Sequence, residues 1–280
     1  SGGKRVRPAV ALLSAGLFAA EGDHAVSLAA AVEMLHTATL VHDDMIDGAL
    51  LRRGISTLNS KWSPDATILT GDYLFARAAS FAAQTESVHV MNLFAETLMV
   101  IVNGEIRQKF TEETTLSREG YFQRIRAKTA SMFALAAEAG AVLGAANEAA
   151  ITGMHHYGRE TGMAFQIVDD VLDFIGTTDR MGKPVGRDLQ QGLLTLPALH
   201  YIEANPDDSD VAALLNGHHS DRQVPERLLR SIRASDAIEA SLAIARDYVT
   251  SAKSALSAAT TGEHLHTLQA IADYVVEREF

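Results

Sequence analysis

The sequence predicts an all-α protein, and three observations carry that prediction. Proline occurs only 6 times in 280 residues while alanine is abundant, a balance that favours helices packed closely through small side chains. The apolar share of 47% fits a globular chain long enough to bury a sizeable core. Apolar residues also recur at helical spacing over long stretches separated by polar or Gly-containing breaks.

Taken in order, the first such stretch runs from Ala25 to about Gly48, where Leu28, Val32, Leu35, Leu40 and Val41 interleave with small residues. Further helices are expected at Asp65 to Gln84, Val88 to Phe110, Arg118 to Leu143 and Glu148 to Phe174. The most irregular segment follows, from Gly176 to Gly192 with its Gly-Lys-Pro and further glycines, before helical pattern returns at Leu193. The tail from Ala234 to Phe280 reads as two more helices. Neither a low-complexity linker nor a short-period repeat interrupts this order, so the expectation is one helical domain over 1–280. The abrupt start at Ser1-Gly2-Gly3-Lys4 suggests that a helix upstream is missing.

No cysteine is present, which removes disulfides, thiolate metal sites and cysteine nucleophiles together and fits an intracellular location. No apolar run reaches the roughly 18 residues of a spanning helix, and the start shows no signal-peptide pattern. A soluble, cytoplasmic chain is expected. The net charge of −11 argues against broad contact with nucleic acid, yet cations are concentrated locally at Lys4, Arg5, Arg7, Arg52 and Arg53.

Two aspartate runs carry the chemistry: HDDMID at His42 to Asp47, and DDVLD at Asp169 to Asp173. Each places carboxylates at i, i+1 and i+4 within an apolar, helix-forming stretch, and i and i+4 project from one face of a 3.6-residue helix. A lone run of this kind is commonly a solvated helix end. Two runs, each following apolar sequence where unpaired carboxylates would be costly to desolvate, point instead to a cage for a hard divalent cation. Mg²⁺ typically takes one or two carboxylates plus substrate phosphates, so the runs predict a diphosphate bound through metal. They are 126 positions apart and must meet in space, which argues for one bundle. Arg52 and Arg53 lie shortly beyond the first run, and arginine's planar fork suits phosphate, although a solvated loop gives the same sequence.

Read together, these stretches resemble the trans-type isoprenyl diphosphate synthases, the polyprenyl synthetase family. The resemblance rests on GGKRVRP (Gly2 to Pro8), HTATLVHDDMID (His36 to Asp47), LRRG (Leu51 to Gly54), GDYLFARA (Gly71 to Ala78), GEIRQ (Gly104 to Gln108), KTA (Lys128 to Ala130), GMAFQIVDDVLDF (Gly162 to Phe174) and GKPVGRDLQQG (Gly182 to Gly192), in that order. It implies an all-α, single-domain bundle around a deep central cavity, the isoprenoid synthase fold, and an enzyme that joins an allylic diphosphate to isopentenyl diphosphate with release of pyrophosphate.

Carried over by motif, the resemblance makes Asp43, Asp47, Asp169 and Asp173 Mg²⁺ ligands for two or three ions, with Asp44 and Asp170 as further ligands or supports. Arg52, Lys128, Thr129, Gln166 and Lys183 would grip the allylic diphosphate, while Lys4, Arg7, His36 and Arg53 would bind isopentenyl diphosphate without metal. Asp43, Asp44, Asp47, Asp169, Asp170 and Lys128 are the expected catalytic set. Ionisation develops negative charge on the departing diphosphate, which metal and fixed cations stabilise, and closure must exclude water from the carbocation. The Gly176 to Gly192 segment fits a lid, though an ordinary surface connection reads alike. One departure stands out: Gly192 is followed by Leu193 where the family commonly carries a lysine, leaving Lys183 and Arg187 as replacements.

Family members with short products usually place a bulky aromatic four or five positions before the first aspartate, about one helical turn away. Here those positions are Thr39 and Ala38. The resemblance therefore implies an all-trans product in the hexaprenyl to decaprenyl range, with a shorter-chain synthase, making farnesyl or geranylgeranyl diphosphate, as the alternative. A homodimer is expected on the same ground, together with transient membrane contact during product release. Three rivals explain less. A four-helix carboxylate protein could use Glu33 with His36 and Glu86 with His89, but leaves both aspartate runs unused. A class I terpene cyclase generally lacks the second run and the isopentenyl site. A non-catalytic subunit typically loses its aspartates.

Overall fold

The structure, a computed structural model, describes residues 4–52, 54–110, 117–176, 186–215, 223–258 and 262–278. Helix α1, Val6–Leu17, occupies a stretch in which the sequence reading delineates no element. It stops where Ala19 turns left-handed (φ 57°) and Ala20 N–H reaches back to Ala15 O at 3.0 Å, the closing bond of a helix C-terminus. Helix α2, Gly22–Ile46, follows and carries the first aspartate run at its C-terminal end. A two-residue antiparallel hairpin comes next: β1, Leu51–Arg52, pairs with β2, Ile55–Ser56. Its turn uses Gly54 at φ 74°, a conformation that costs glycine nothing.

Helix α3, Pro64–Ala83, starts as its sequence dictates: Ser63 Oγ accepts from Ala66 N–H at 3.4 Å, with proline in the first turn. Helix α4 spans Val88–Phe110, the limits the sequence predicts. The helix expected over Arg118 to Leu143 is continuous but not uniform. It divides into α5, Arg118–Ile125, a π-helical segment, Arg126–Ala130, and α6, Ser131–Leu143. Helix α7, Glu148–Ile175, is capped by Asn147 Oδ1 accepting from Ala150 N–H at 2.9 Å and carries the second aspartate run near its other end.

Beyond α7 come α8, Arg187–Gln190, α9, Leu196–Ala204, α10, Ser209–Leu215, α11, Gln223–Ala234, α12, Ala237–Ala255, and α13, Glu263–Glu277. The last two are the helices expected in the tail. The architecture is all-α, as predicted, with the short hairpin as the sheet among the described residues. Of the lid expected at Gly176 to Gly192, residues 177–185, with Lys183, lie outside the described residues.

One hydrophobic cluster runs from Val10 on α1 to Val275 on α13. Helix α2 packs on α1, α3 and α6, while α7 packs on α6, α12 and α13. The approach of α7 to its neighbours depends on missing side chains: a Cβ on Gly158 would stand 2.3 Å from Phe133 O, and one on Gly162 2.6 Å from Ala130 Cα. Tyr157 OH ties α7 to α13 by donating to Leu268 O at 2.7 Å. By length and composition α2 is apolar enough to cross a membrane, with a mean hydropathy of 1.3 over its best window. Its Leu28, Val32 and Leu35 are nevertheless buried in the common core, and it presents Asp43 and Asp44 to the site, which marks it as a core helix.

Candidate active site

The two aspartate runs do not meet directly; the π-helical segment joins them. An extra backbone position per turn there aims two consecutive side chains at two different helices. Lys128 Nζ lies 3.1 Å from Asp43 Oδ2 on α2 and 2.9 Å from Glu105 Oε1 on α4. Thr129, the next residue, donates its hydroxyl to Gln166 Oε1 on α7 at 2.7 Å. Gln166 Nε2 donates to Asp170 Oδ1 at 2.8 Å, and Tyr121 OH donates to Asp170 Oδ2 at 2.7 Å. The structure thereby brings together Asp43, Lys128, Thr129, Gln166 and Asp170, all of them predicted, and adds Glu105 and Tyr121, which were not.

The electrostatics follow from burial. Desolvation raises the pKa of Asp43, opposed by Lys128 and reinforced by Glu105. Burial pulls the Lys128 ammonium down, but the Asp43 and Glu105 carboxylates outweigh it and leave its pKa raised, so Lys128 is a secure cation. Asp170 is pushed up to about 8, by burial first and by the Asp188 carboxylate second. Burial and Asp170 together raise the Tyr121 phenol, keeping it a hydrogen-bond donor.

The remaining first-run groups are placed as follows. Asp44 is buried at 8% exposure and accepts from Arg52 Nε through both oxygens, at 2.9 and 3.1 Å. Its role here is to hold the hairpin arginine against the helix end, a support role among those expected. Asp47 caps α2 and is exposed. His42 points away from the carboxylates of its own run: Nε2 donates to Ile68 O at 3.1 Å and lies 3.5 Å from Asp72 Oδ1, and the ring meets Phe75 at a tilt, 5.2 Å between centroids. Gly71 permits this, since a Cβ there would lie 2.1 Å from His42 Nε2. Arg53 and Lys183 lie outside the described residues.

A second group forms around α1 and α7. Arg7 Nη1 donates to His36 Nε2 at 3.3 Å, and its guanidinium lies 4.9 Å from the Phe133 ring and 5.6 Å from Phe165. Arg278, which follows α13, covers the other approach to Phe165 at 4.0 Å, donates to Phe165 O at 2.7 Å and pairs with Asp169 at 2.7 Å. Its side chain is 3% exposed. Sequence reading missed Arg278, and a lone arginine at a helix end carries no signal that could have found it. Lys4 lies apart from the Arg7–His36 pair, over the Tyr274 ring at 5.3 Å. At the end of α7, Asp173 accepts from Asp188 N–H at 3.3 Å, so Asp188 joins the second run.

Of the replacements considered for the lysine absent at Leu193, Lys183 lies outside the described residues, and a different cation, Arg124, meets this stretch. Arg124 donates to the neighbouring Leu194 O at 2.9 Å and lies 5.4 Å from the Tyr121 ring. It also lines, with Asn103, Gly104, Arg107, Gln108 and Gln123, a cleft of about 220 Å³ between α4 and α5. Ala38 has 0% exposure and Thr39 8%, and Thr39 spends its hydroxyl on His36 O at 2.8 Å. Both positions expected to set chain length are closely packed.

Among the described residues, no three carboxylate or imidazole groups converge to hold an ion by themselves, so the expected cage is not preformed. Asp43 is paired with Lys128 and Asp169 with Arg278. This donor set still fits a hard divalent ion, because such an ion needs only one or two protein carboxylates when phosphate oxygens and water complete its shell. The buried Asp43 carboxylate, raised in pKa by desolvation despite its Lys128 partner, is what a further cation would stabilise.

The polyprenyl synthetase family model matches residues 1–232. Heptaprenyl diphosphate synthase component 2 of Bacillus subtilis (strain 168) is 37% identical over 287 residues, covering 100% of this chain and 80% of that protein. A polyprenyl synthase from Caulobacter crescentus CB15, solved with calcium and isoprenyl diphosphate, superposes with a TM-score of 0.92 at 38% identity, covering 99% of this chain and 85% of that one. A decaprenyl diphosphate synthase from Rhodobacter capsulatus gives a TM-score of 0.90 at 34% identity, over 99% of this chain and 87% of the other.

Proposed function

This chain belongs to the polyprenyl synthetase family, and from that premise we propose how its site extends a prenyl chain. The protein is a prenyltransferase that condenses an allylic prenyl diphosphate with isopentenyl diphosphate and makes long-chain, all-trans products. The observation that carries the site assignment is the π-helical segment, which presents Lys128 to the first aspartate run and Thr129, through Gln166, to the second. A diphosphate seated there meets an ammonium and an amide at once.

The C1–O bond of the allylic substrate breaks with its electron pair leaving on the diphosphate. Lys128 and Arg52 stabilise the charge that develops. The π electrons of isopentenyl diphosphate form the new carbon–carbon bond, and the proton then lost from the condensed product goes to the departing pyrophosphate. Arg7 and His36 hold the second diphosphate, with the Phe133 and Phe165 rings as an apolar wall beside it. A divalent ion, Mg²⁺ in this reading, would be held by Asp43, Asp47, Asp169 and Asp173 and would neutralise charge on the allylic diphosphate.

The site belongs to a single domain, supported by the one core that runs from α1 to α13. A homodimer is supported by the outer face of α4, where Met99, Val102, Ile106 and Phe110 recur at helical spacing and are 44–80% exposed, a stripe that water disfavours. The name "component 2" of the Bacillus subtilis relative favours a second reading, a heteromer with another chain on that face. Light scattering of the purified chain separates the two: a dimer supports the first, a monomer the second.

The direct test incubates the chain with Mg²⁺, farnesyl diphosphate and labelled isopentenyl diphosphate and reads product length by reversed-phase chromatography. Hexaprenyl to decaprenyl products are expected. Arrest at geranylgeranyl diphosphate would overturn the long-chain reading, and absence of incorporation would overturn the activity for the isolated chain.

A further inference from the structure

The hydrogen bonds behind Gln166 have a direction. Asp170 is 6% exposed, and each of its two carboxylate oxygens accepts one bond, Oδ2 from Tyr121 OH and Oδ1 from Gln166 Nε2. Ionised, or protonated on Oδ2 where the Tyr121 hydroxyl meets it, the Asp170 carboxyl keeps Oδ1 as an acceptor, so it obliges the Gln166 amide to turn its NH₂ toward α7's own next turn. The amide oxygen must then face Thr129, whose hydroxyl donates to it. Of the two amide hydrogens on Gln166, one is committed to Asp170, and the second is what this arrangement offers to an anion.

We propose that Tyr121 is a positioning residue for the allylic diphosphate: its hydroxyl fixes the Asp170 carboxylate, which sets the Gln166 amide so that it presents a donor to the substrate. Asp170 in this role is a buried bracket and not a metal ligand. Tyr121 is suited to the task because its ring cannot wander. It is 1% exposed, meets Phe122 edge-on at 5.4 Å and carries Arg124 at 5.4 Å from its centroid. Without the hydroxyl, Asp170 Oδ2 is left buried without this donor. The carboxylate can then rotate, and the Gln166 amide can flip and turn its oxygen toward the incoming phosphate, where it repels.

The inference rests on the reading of this site as an allylic diphosphate site, and its test is separable from that reading. Tyr121→Phe keeps the ring packing and removes only the hydroxyl. Binding of farnesyl diphosphate in Mg²⁺, followed by isothermal titration calorimetry without isopentenyl diphosphate, should weaken about five- to tenfold, the factor expected for one lost hydrogen bond. In turnover, the KM for farnesyl diphosphate should rise by the same factor, with the KM for isopentenyl diphosphate and the half-saturating Mg²⁺ concentration held. Asp170→Asn, which removes one acceptor and can force the same amide flip, provides a second variant and should behave alike. Unchanged farnesyl diphosphate affinity in both variants overturns the proposal, and so does a parallel rise in the Mg²⁺ requirement, which would make Asp170 a ligand. If the wild-type chain bound farnesyl diphosphate but transferred nothing, the functional reading would fail while the binding comparison still decided this one.

Discussion

Replacing Gly162 by alanine tests whether the spacing between α7 and the π-helical segment governs substrate grip. An alanine Cβ at that position would stand 2.6 Å from Ala130 Cα, 3.1 Å from Phe133 Cβ and 3.2 Å from Ala130 Cβ. Carbon atoms prefer about 3.5–4.0 Å, and the nearest of these is backbone, so α7 must retreat by about 1 Å. Gln166 lies one helical turn further along the same face. Its 2.7 Å bond from Thr129 would open to about 3.7 Å, past the range of a hydrogen bond. Overpacking costs about 1–3 kcal/mol, whereas exchanging glycine for alanine inside a helix returns about 1 kcal/mol. Net destabilisation is therefore about 0–2 kcal/mol, a fall of at most several degrees in Tm for a chain of this size. The functional effect should be larger than the stability effect: a rise of about tenfold or more in the KM for the allylic diphosphate, read by steady-state kinetics beside a thermal melt. Gly22→Ala, where an added Cβ meets nothing within 4 Å, is the matched control and should leave the KM unchanged. A Gly162→Ala enzyme with the wild-type KM would refute the argument, because the spacing would then not control the Thr129–Gln166 contact.

Three further outcomes are expected. Ala38→Phe should shorten the product, since a ring would block the helix face leading from Asp43, and should cost about 1–3 kcal/mol because Ala38 has 0% exposure; product of unaltered length would count against a chain-length role. Arg278→Ala should lower the Mg²⁺ concentration needed for half-maximal activity, because Arg278 occupies Asp169 at 2.7 Å and competes with a cation for it; an unchanged Mg²⁺ titration would rule this out. The third concerns pH. With a folded-state pKa of about 8 against 3.8 unfolded, Asp170 binds a proton in the folded chain that the unfolded chain releases, so its contribution to stability falls as pH rises from about 4 to about 8 and levels off above. Asp170→Asn, compared with wild type by denaturant unfolding in chelator, should therefore gain more at about pH 8 than at about pH 5, and the opposite order would contradict the assignment.

The helices were legible because their signals are local. Apolar spacing placed α4 at Val88–Phe110, α7 within one residue of its end and α3 within one residue at either end. The aspartate runs were legible for the same reason, since i and i+4 on one helix is a property of sequence alone. What stayed hidden is how one residue's partner is chosen from another part of the chain. Periodicity reads Arg118 to Leu143 as one helix, and five residues of π geometry inside it leave the apolar pattern intact while rotating Lys128 toward α2 and α4 and leaving Thr129 on α7. The resemblance leaves Asp44 and Asp170 open as ligands or supports beside Asp43 and Asp169. Tertiary packing turns Asp44 to Arg52 and encloses Asp170 between Tyr121 and Gln166.

By itself, then, the sequence determined the helical class, the limits of α2, α3, α4 and α7 to within a few residues, and the two carboxylate faces, all of which depend on residues within a turn or two of one another. Only the tertiary structure decided that the runs are joined through the π-helical segment, that Arg278 from the far end of the chain closes on Asp169, and that Ala38 is packed tight. The physical reason is that a buried charge takes whichever partner the folded chain delivers to it. That delivery is set by close approaches such as Gly162 on Ala130, over separations that no local pattern records.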